Sequence, residues 1–191
     1  SVQLTTDKGM LIKAKHLVMA SGYEAQCWLS QKVAQNRSSF AYITDPVAPS
    51  ELGWLATTML WESSRPYIYM RSTGDGRLLV GGEDEDRDIP ARRDSLVDRK
   101  AATLERKVAR LFPKLQAKPA FAWAGTFAET KDGLPLFGSH SQYGPRVLFA
   151  LAYGGNGITY SMLGAGLLRA QIERRPHPLT ELFSFSRLGY G

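Results

Sequence analysis

The sequence has one cysteine, Cys27, and three histidines, His16, His140 and His177, in 191 residues. A single thiol excludes an internal disulfide framework and a cysteine-rich zinc site. The histidines stand far apart and none forms an H-x-x-x-H pair, so no metal is expected. No apolar run approaches the roughly 18 residues of a membrane-spanning helix. No signal-peptide pattern is visible at Ser1. These absences fit a reducing compartment, and a cytoplasmic location is the expectation. Walker A, HExxH and G-x-S-x-G are also lacking. Gly155-Asn156-Gly157 is followed by Ile158-Thr159-Tyr160, so even GxGxxG lacks its third glycine. On motifs alone the chain carries no complete catalytic signature.

What is present is an ordinary globular composition: 43% hydrophobic, 10% aromatic and 22% charged. That is enough to bury a core and excludes wholesale disorder. The net charge of +6 is concentrated. Nine Lys/Arg lie between Arg92 and Lys118, against Asp94, Asp98 and Glu105. Just before them Glu83, Asp84, Glu85, Asp86 and Asp88 surround Arg87. A basic helix beside an acidic turn reads as a solvated face, so nucleic acid is not the expected partner.

Periodicity supplies the architecture. Residues 2–6 and 10–15 alternate around Asp7-Lys8-Gly9, a hairpin already under way at the first residue. The run His16-Leu17-Val18-Met19-Ala20 reads as a strand buried on both faces and ends in Ser21-Gly22. Residues 23–35 suggest a short helix, and 38–51 a strand and then a loop. Residues 67–71 and 77–81 flank Ser72-Thr73-Gly74-Asp75-Gly76 as a second hairpin, with Gly81-Gly82 ending its second strand. From Ser95 the period turns helical: Val97, Ala101, Leu104, Val108 and Leu111 share one face, Ser95 and Asp98 resemble a capping box, and Pro113 stops the helix. Residues 120–127 and 147–153 read as strands. A second helix is expected over 159–173, and its interior Gly164 and Gly166 imply close packing. Strands in hairpins with two clear helices point to an α+β domain with a mostly antiparallel sheet.

One junction has specific physics. A strand running into Gly154-Gly155-Asn156-Gly157 and then a helix presents unpaired N–H groups with partial positive charge, and its glycines admit a carbonyl or anion closely. A flexible connection before a packed helix fits the same residues. Trp123-Ala124-Gly125 and 130–138 likewise read either as a plain strand and turn or as part of a site.

Taken in order, "HLVMASG", "YIYMRSTGDGRLLVGGEDED", "WAGTFAETKDGLPLFG" and "VLFALAYGGNGITYSMLGAGLLRAQI" resemble the FAD-dependent amine and amino-acid oxidoreductases, the superfamily of glycine oxidase, sarcosine oxidase and D-amino-acid oxidase. The resemblance covers residues 2–173. It implies the C-terminal part of a longer flavoprotein, because the family's N-terminal GxGxxG unit has no counterpart here. The fold class it implies is α+β: a mixed, mostly antiparallel substrate domain plus the strand–helix remnant of a Rossmann-like FAD-binding domain. Residues 1–35 would belong to the FAD-binding domain, 36–143 to the substrate domain, and 144–191 to a return to the first.

The resemblance also assigns roles. Ala20, Ser21 and Gly22 match the family's Ala-Thr-Gly near the dinucleotide. Gly154, Gly155, Asn156, Gly157, Ile158 and Thr159 match the loop and helix start at the pyrimidine edge of the flavin. Tyr67, Tyr69, Trp123 and Tyr153 are the expected wall of the substrate pocket, with core packing as the competing role. Many relatives hold a substrate carboxylate with an arginine two residues past Trp-x-Gly; here Phe127 stands there. Arg71 is a substitute if it points inward, and a solvated edge residue if it does not. The implied reaction oxidises a carbon–nitrogen bond by hydride transfer to non-covalent FAD, since Cys27 lies outside the segment of the family's flavin-linking cysteine. No residue stands out as a base for the substrate amine. A small-molecule amine or amino acid and the N-terminal FAD-binding segment are the implied partners, and the piece alone is expected to be inactive. A flavin-free interaction domain of the same fold is the alternative.

Overall fold

The computed structural model describes residues 1–63 and 66–189. In chain order they form β1 (Val2–Thr5), β2 (Leu11–Ala14), β3 (Leu17–Met19), β4 (Gln35–Ile43), α1 (Pro49–Leu52), β5 (Leu60–Trp61), β6 (Ile68–Ser72), β7 (Leu78–Glu85), α2 (Pro90–Ser95), α3 (Val97–Leu111), β8 (Phe121–Glu129), β9 (Leu136–Ser139), β10 (Val147–Leu151) and α4 (Gly157–Ile172). Short 3-10 segments span Gly22–Trp28, Gly53–Ala56 and Phe185–Leu188. The mixed α+β class and both hairpins expected from alternation are present: Leu4 lies opposite Ile12, and Met70 opposite Val80.

Two compact units result, Ser1–Asn36 with Phe127–Gly191, and Arg37–Thr126. Of the expected third segment, Tyr190 and Gly191 lie outside the described residues. The chain re-enters the first unit at 127, not 144. The reason is long-range pairing: β9 hydrogen-bonds along β10, with Leu148 opposite Ser139 and Leu151 opposite Leu136. Phe137 of β9 then packs in one core with Leu148, Leu167 and Phe183.

In the first unit the sheet order is β3-β10-β9. β10 is buried along its whole length. Its residues alternate between two cores: Val147, Phe149 and Leu151 pack with Ala25, Leu29 and Phe185, while Leu148 and Ala150 pack with α4. A central strand covered on both faces needs this uninterrupted apolar run. β3 differs from expectation. It is the sheet edge, and Val18 is 42% exposed rather than buried. Gly164 of α4 lies against the Phe137 ring, where a Cβ would fall 2.2 Å from a ring carbon. Gly166 is exposed, so only one of the two helix glycines serves close packing. Arg187 fastens the last 3-10 turn to the β8–β9 connection, through Asp132 at 2.7 Å and the carbonyls of Leu134 and Pro135.

In the second unit the order is β5-β6-β7-β4-β8. One face is covered by α3, whose Ala101, Leu104 and Val108 pack on Tyr42, Ile68, Met70, Leu78 and Val80. Leu111, expected on that face, is exposed. Ser95 caps no helix: its hydroxyl donates to the Arg92 carbonyl at 2.7 Å and closes α2. Gly81-Gly82 does not end β7. The strand continues to Glu85 through a bulge, with Gly82 and Glu83 both at positive φ and the register to β4 shifting between Ser38 and Phe40. Asp88 then ties α2 to the sheet, accepting from Ser38, Thr126 and Arg93.

The Phe137 ring leaves no room beside Gly164, so Gly164→Ala is expected to cost about 1–3 kcal/mol by overpacking, read by urea denaturation. The Arg187 guanidinium, with help from Thr130, holds the Asp132 carboxyl well below its ordinary range against the opposing effect of burial. A depressed native value stabilises the fold above the unfolded carboxylate range and is lost only as pH falls through the native value. Asp132→Asn should therefore lose about 1 kcal/mol at neutral pH, with the gap to the parent closing only in strong acid. Unfolding curves across pH check this.

Candidate functional site

The glycine turns of the first unit come together through strand direction. β10 runs parallel to β3, with Val147 opposite Leu17 and Phe149 opposite Met19. Their carboxyl ends therefore open side by side, the position at which parallel sheets bind ligands. Beyond β3, Ala20 and Ser21 are exposed and Gly22 turns at φ +65°. Beyond β10, Ala152 at φ +63° and Gly154 at φ +56° reverse the chain into α4. The reversal is held by the Gly154 N–H donating to Ala128 O at 2.9 Å and that of Asn156 to Tyr153 O at 3.1 Å. Ala152 is buried in the core, which sustains its unfavourable backbone.

The first bond of α4 runs from the Tyr160 N–H to Asn156 O at 3.0 Å. Asn156 makes no side-chain cap, so the N–H groups of Gly157, Ile158 and Thr159 find no acceptor within the helix. A Cβ at Gly155 or Gly157 would meet nothing within 4 Å, and Ile158 is 89% exposed. Three donors at the positive end of a 16-residue helix thus lack a backbone acceptor or side-chain cap among the described residues. They suit a carbonyl edge or an anion.

In the second unit the sheet face turned away from α3 carries the aromatic residues. Trp61 lies opposite Tyr69, and Tyr69 opposite Gly81. The Tyr69 ring rests on Gly81, where a Cβ would fall 2.2 Å from a ring carbon. Tyr67 touches both neighbours, its ring centroid 6.4 Å from Trp61 and 6.2 Å from Tyr69. The β7 bulge shifts the strand's phase by one residue. Glu83 and Glu85 consequently meet Lys100 and Lys107 of α3, while Asp84 meets this other face and accepts from the Tyr67 hydroxyl at 2.7 Å. Burial pushes the Tyr69 phenol up, against the nearby Ser39 side chain and with the Asp84 charge. Arg71 shares the side of β6 that bears Tyr69 and is exposed, bonded among the described residues to the Ser72 carbonyl at 3.3 Å. On β8, Ala122 packs on the core beneath α3, so Phe121 and Trp123 project to the other side, their rings stacked at 5.9 Å.

The expected residues therefore divide. Ala20, Ser21, Gly22 and the six residues 154–159 converge at two adjacent strand ends. Tyr67, Tyr69, Arg71 and Trp123 share one sheet face of the second unit. Tyr153 and half-buried Phe127 belong to the first unit. Tyr153 bridges Glu129 and packs on Phe137 at 5.6 Å, the core role. Trp61, Ser39, Gly81 and Asp84 were not among the expected site residues. The paired tyrosines pointed to their neighbourhood, but the bulge that turns Asp84 has no sequence period. Among the described residues no group of His, Cys, Asp and Glu is placed to hold a metal ion, and no helix is long and apolar enough to cross a membrane.

The chain belongs to the FAD dependent oxidoreductase family, which matches residues 1–171. Among solved structures, glycine oxidase from Geobacillus kaustophilus is similar at 24% identity with a TM-score of 0.75, over 97% of this chain and 48% of that one. L-proline dehydrogenase from P. horikoshii gives 18% identity and a TM-score of 0.80, over 98% of this chain and 50% of that one. Iminodiacetate oxidase from Chelativorans sp. BNC1 gives 20% and 0.72, over 95% and 51%. The chain spans about half the length of these relatives. No curated protein matches it.

The seat of Tyr69 is testable. Gly81→Ala is expected to displace the ring and cost about 1–3 kcal/mol. Gly125→Ala, where a Cβ meets nothing within 4 Å, is expected to stay within about 0.5 kcal/mol. Denaturant unfolding measures both.

Proposed function

We propose that the chain is the substrate-binding and C-terminal portion of an FAD-dependent enzyme that oxidises a carbon–nitrogen bond of an amine or amino acid. The observation that carries this reading is the open start of α4 beside the end of β3. Three unpartnered N–H groups and glycines without steric obstruction fit the pyrimidine edge of a flavin. FAD supplies the acceptor for a hydride from the substrate carbon. Gly157, Ile158 and Thr159 would donate hydrogen bonds where negative charge builds on reduction, and Ala20, Ser21 and Gly22 would flank the dinucleotide. Donors fixed before reaction stabilise that charge without reorganisation. Binding is non-covalent in this reading, and the location cytoplasmic.

Tyr67, Tyr69 and Trp123 would form the substrate wall. Arg71 is the group for a substrate carboxylate, since it is exposed on that face without an ion-pair partner among the described residues. With Phe127 at the position many relatives give to arginine, a larger or less acidic amine suits the site better than glycine.

The 191-residue chain lacks a complete GxGxxG and should copurify with FAD far below one per chain; a near-stoichiometric flavin band would contradict this. Joined to a dinucleotide-binding half, it should bind FAD that amines bleach without oxygen. Gly155→Glu, which sets a carboxylate against the developing charge, should slow that bleaching about tenfold or more. Stopped-flow absorbance reads the rate, and an unchanged rate would count against the assigned edge.

A further inference from the structure

The sheet face that bears Tyr67 and Tyr69 contains a carboxylate with half its bonding capacity unused. Asp84 Oδ2 accepts from the Tyr67 hydroxyl at 2.7 Å. Asp84 Oδ1 is out of solvent and has no hydrogen-bond partner among the described residues. Its acidic neighbours are all matched: Glu83 with Lys107 at 2.5 Å, Glu85 with Lys100 at 2.7 Å, Asp86 with Arg37 at 2.7 Å and Asp88 with Arg93 at 3.2 Å. Among the described residues no ion pair involves Asp84. A carboxylate oxygen removed from water with neither donor nor cation is costly in the folded protein.

What surrounds it is suited to one kind of guest. Trp61, Tyr67 and Tyr69 form a continuous run of rings, with centroids 6.4 and 6.2 Å apart. Ring faces attract cations through their quadrupole, and grouped aromatic rings are a recurring device for alkylated ammonium groups. The carboxylate adds a full charge and an acceptor for N–H. Tyr69 is seated by Gly81 and Tyr67 is fixed by its bond to Asp84, so two walls are rigid. Trp61 is 69% exposed, so its ring is open to a guest from solvent.

We propose that Asp84, bonded to the middle ring of the run Trp61, Tyr67 and Tyr69, holds a cationic amino group of the substrate. This rests on the amine-oxidising reading above and deepens it: on binding, the carboxylate accepts the ammonium N–H at Oδ1 while the rings cover its alkyl groups, and the amine loses one proton to water before its carbon gives up a hydride. It favours alkylated amines over neutral molecules of the same shape.

Ligand-observed NMR titration of the 191-residue protein tests this with diethylammonium, cationic at neutral pH, against diethyl ether, its neutral isostere. The cation should bind saturably and more tightly than the ether. Asp84→Asn should weaken cation binding about tenfold or more, with ether binding unchanged. Trp61→Ala removes an exposed ring, leaves the core untouched, and should weaken cation binding about threefold or more; it keeps the test decisive if Asp84→Asn fails to fold. Equal affinity for ether and cation, or unchanged cation affinity in Trp61→Ala or in folded Asp84→Asn, would overturn the proposal. The titration contains no flavin. Asp84-dependent cation binding together with a flavin that amines never bleach would refute the oxidoreductase reading and leave this subsite standing.

Discussion

The parallel pairing of β10 with β3 is the constraint on which the glycine junction of the first unit rests. Five consecutive buried residues lock β10 between two cores, so its end is fixed on both faces. That fixed end projects Ala152, Tyr153 and Gly154 into a reversal that starts α4 in one direction only. Because β3 is parallel, its own glycine turn emerges alongside. A shift of one residue would send Phe149 and Leu151 to the wrong core, so register and site geometry are specified by the same apolar contacts. The unpaired donors at α4 are therefore carried by a strand with little freedom to move.

The aromatic face depends on a different device. The bulge at Gly82 and Glu83 inserts one residue into β7, and everything after it changes side. Without the insertion Asp84 would face the lysines of α3, and Glu83 and Glu85 would face the rings. With it, a single carboxylate is set among rings while its neighbours are neutralised. Gly81, immediately before, accepts a whole tyrosine ring in place of a side chain. Two adjacent glycines thus perform separate tasks, one steric and one conformational.

The same contrast explains what the sequence disclosed. Both hairpins and the helix through Ala101, Leu104 and Val108 were legible because alternation and helical spacing are local properties. The glycine junction was legible as a type of site, since a helix start has its donors wherever it occurs. Four features were not. Val18 is exposed because β3 is an edge, which depends on strand order. Ser95 closes α2 instead of capping a helix, because the chain is helical on both sides of Leu96. The chain returns to its first unit at 127 because β9 finds β10. Asp84 escaped notice because four consecutive acidic residues, with Asp88 just beyond Arg87, look like a solvated turn until a bulge and α3 sort them.

Hydrogen exchange on the chain joined to a dinucleotide-binding half, with and without FAD, examines the central claim most directly. Amides of Gly157, Ile158 and Thr159 have no acceptor within the helix and should exchange freely without FAD, then become protected when it binds, together with those of Ser21 and Gly22. Equal exchange at these positions with and without FAD, while other segments gain protection, would contradict the account.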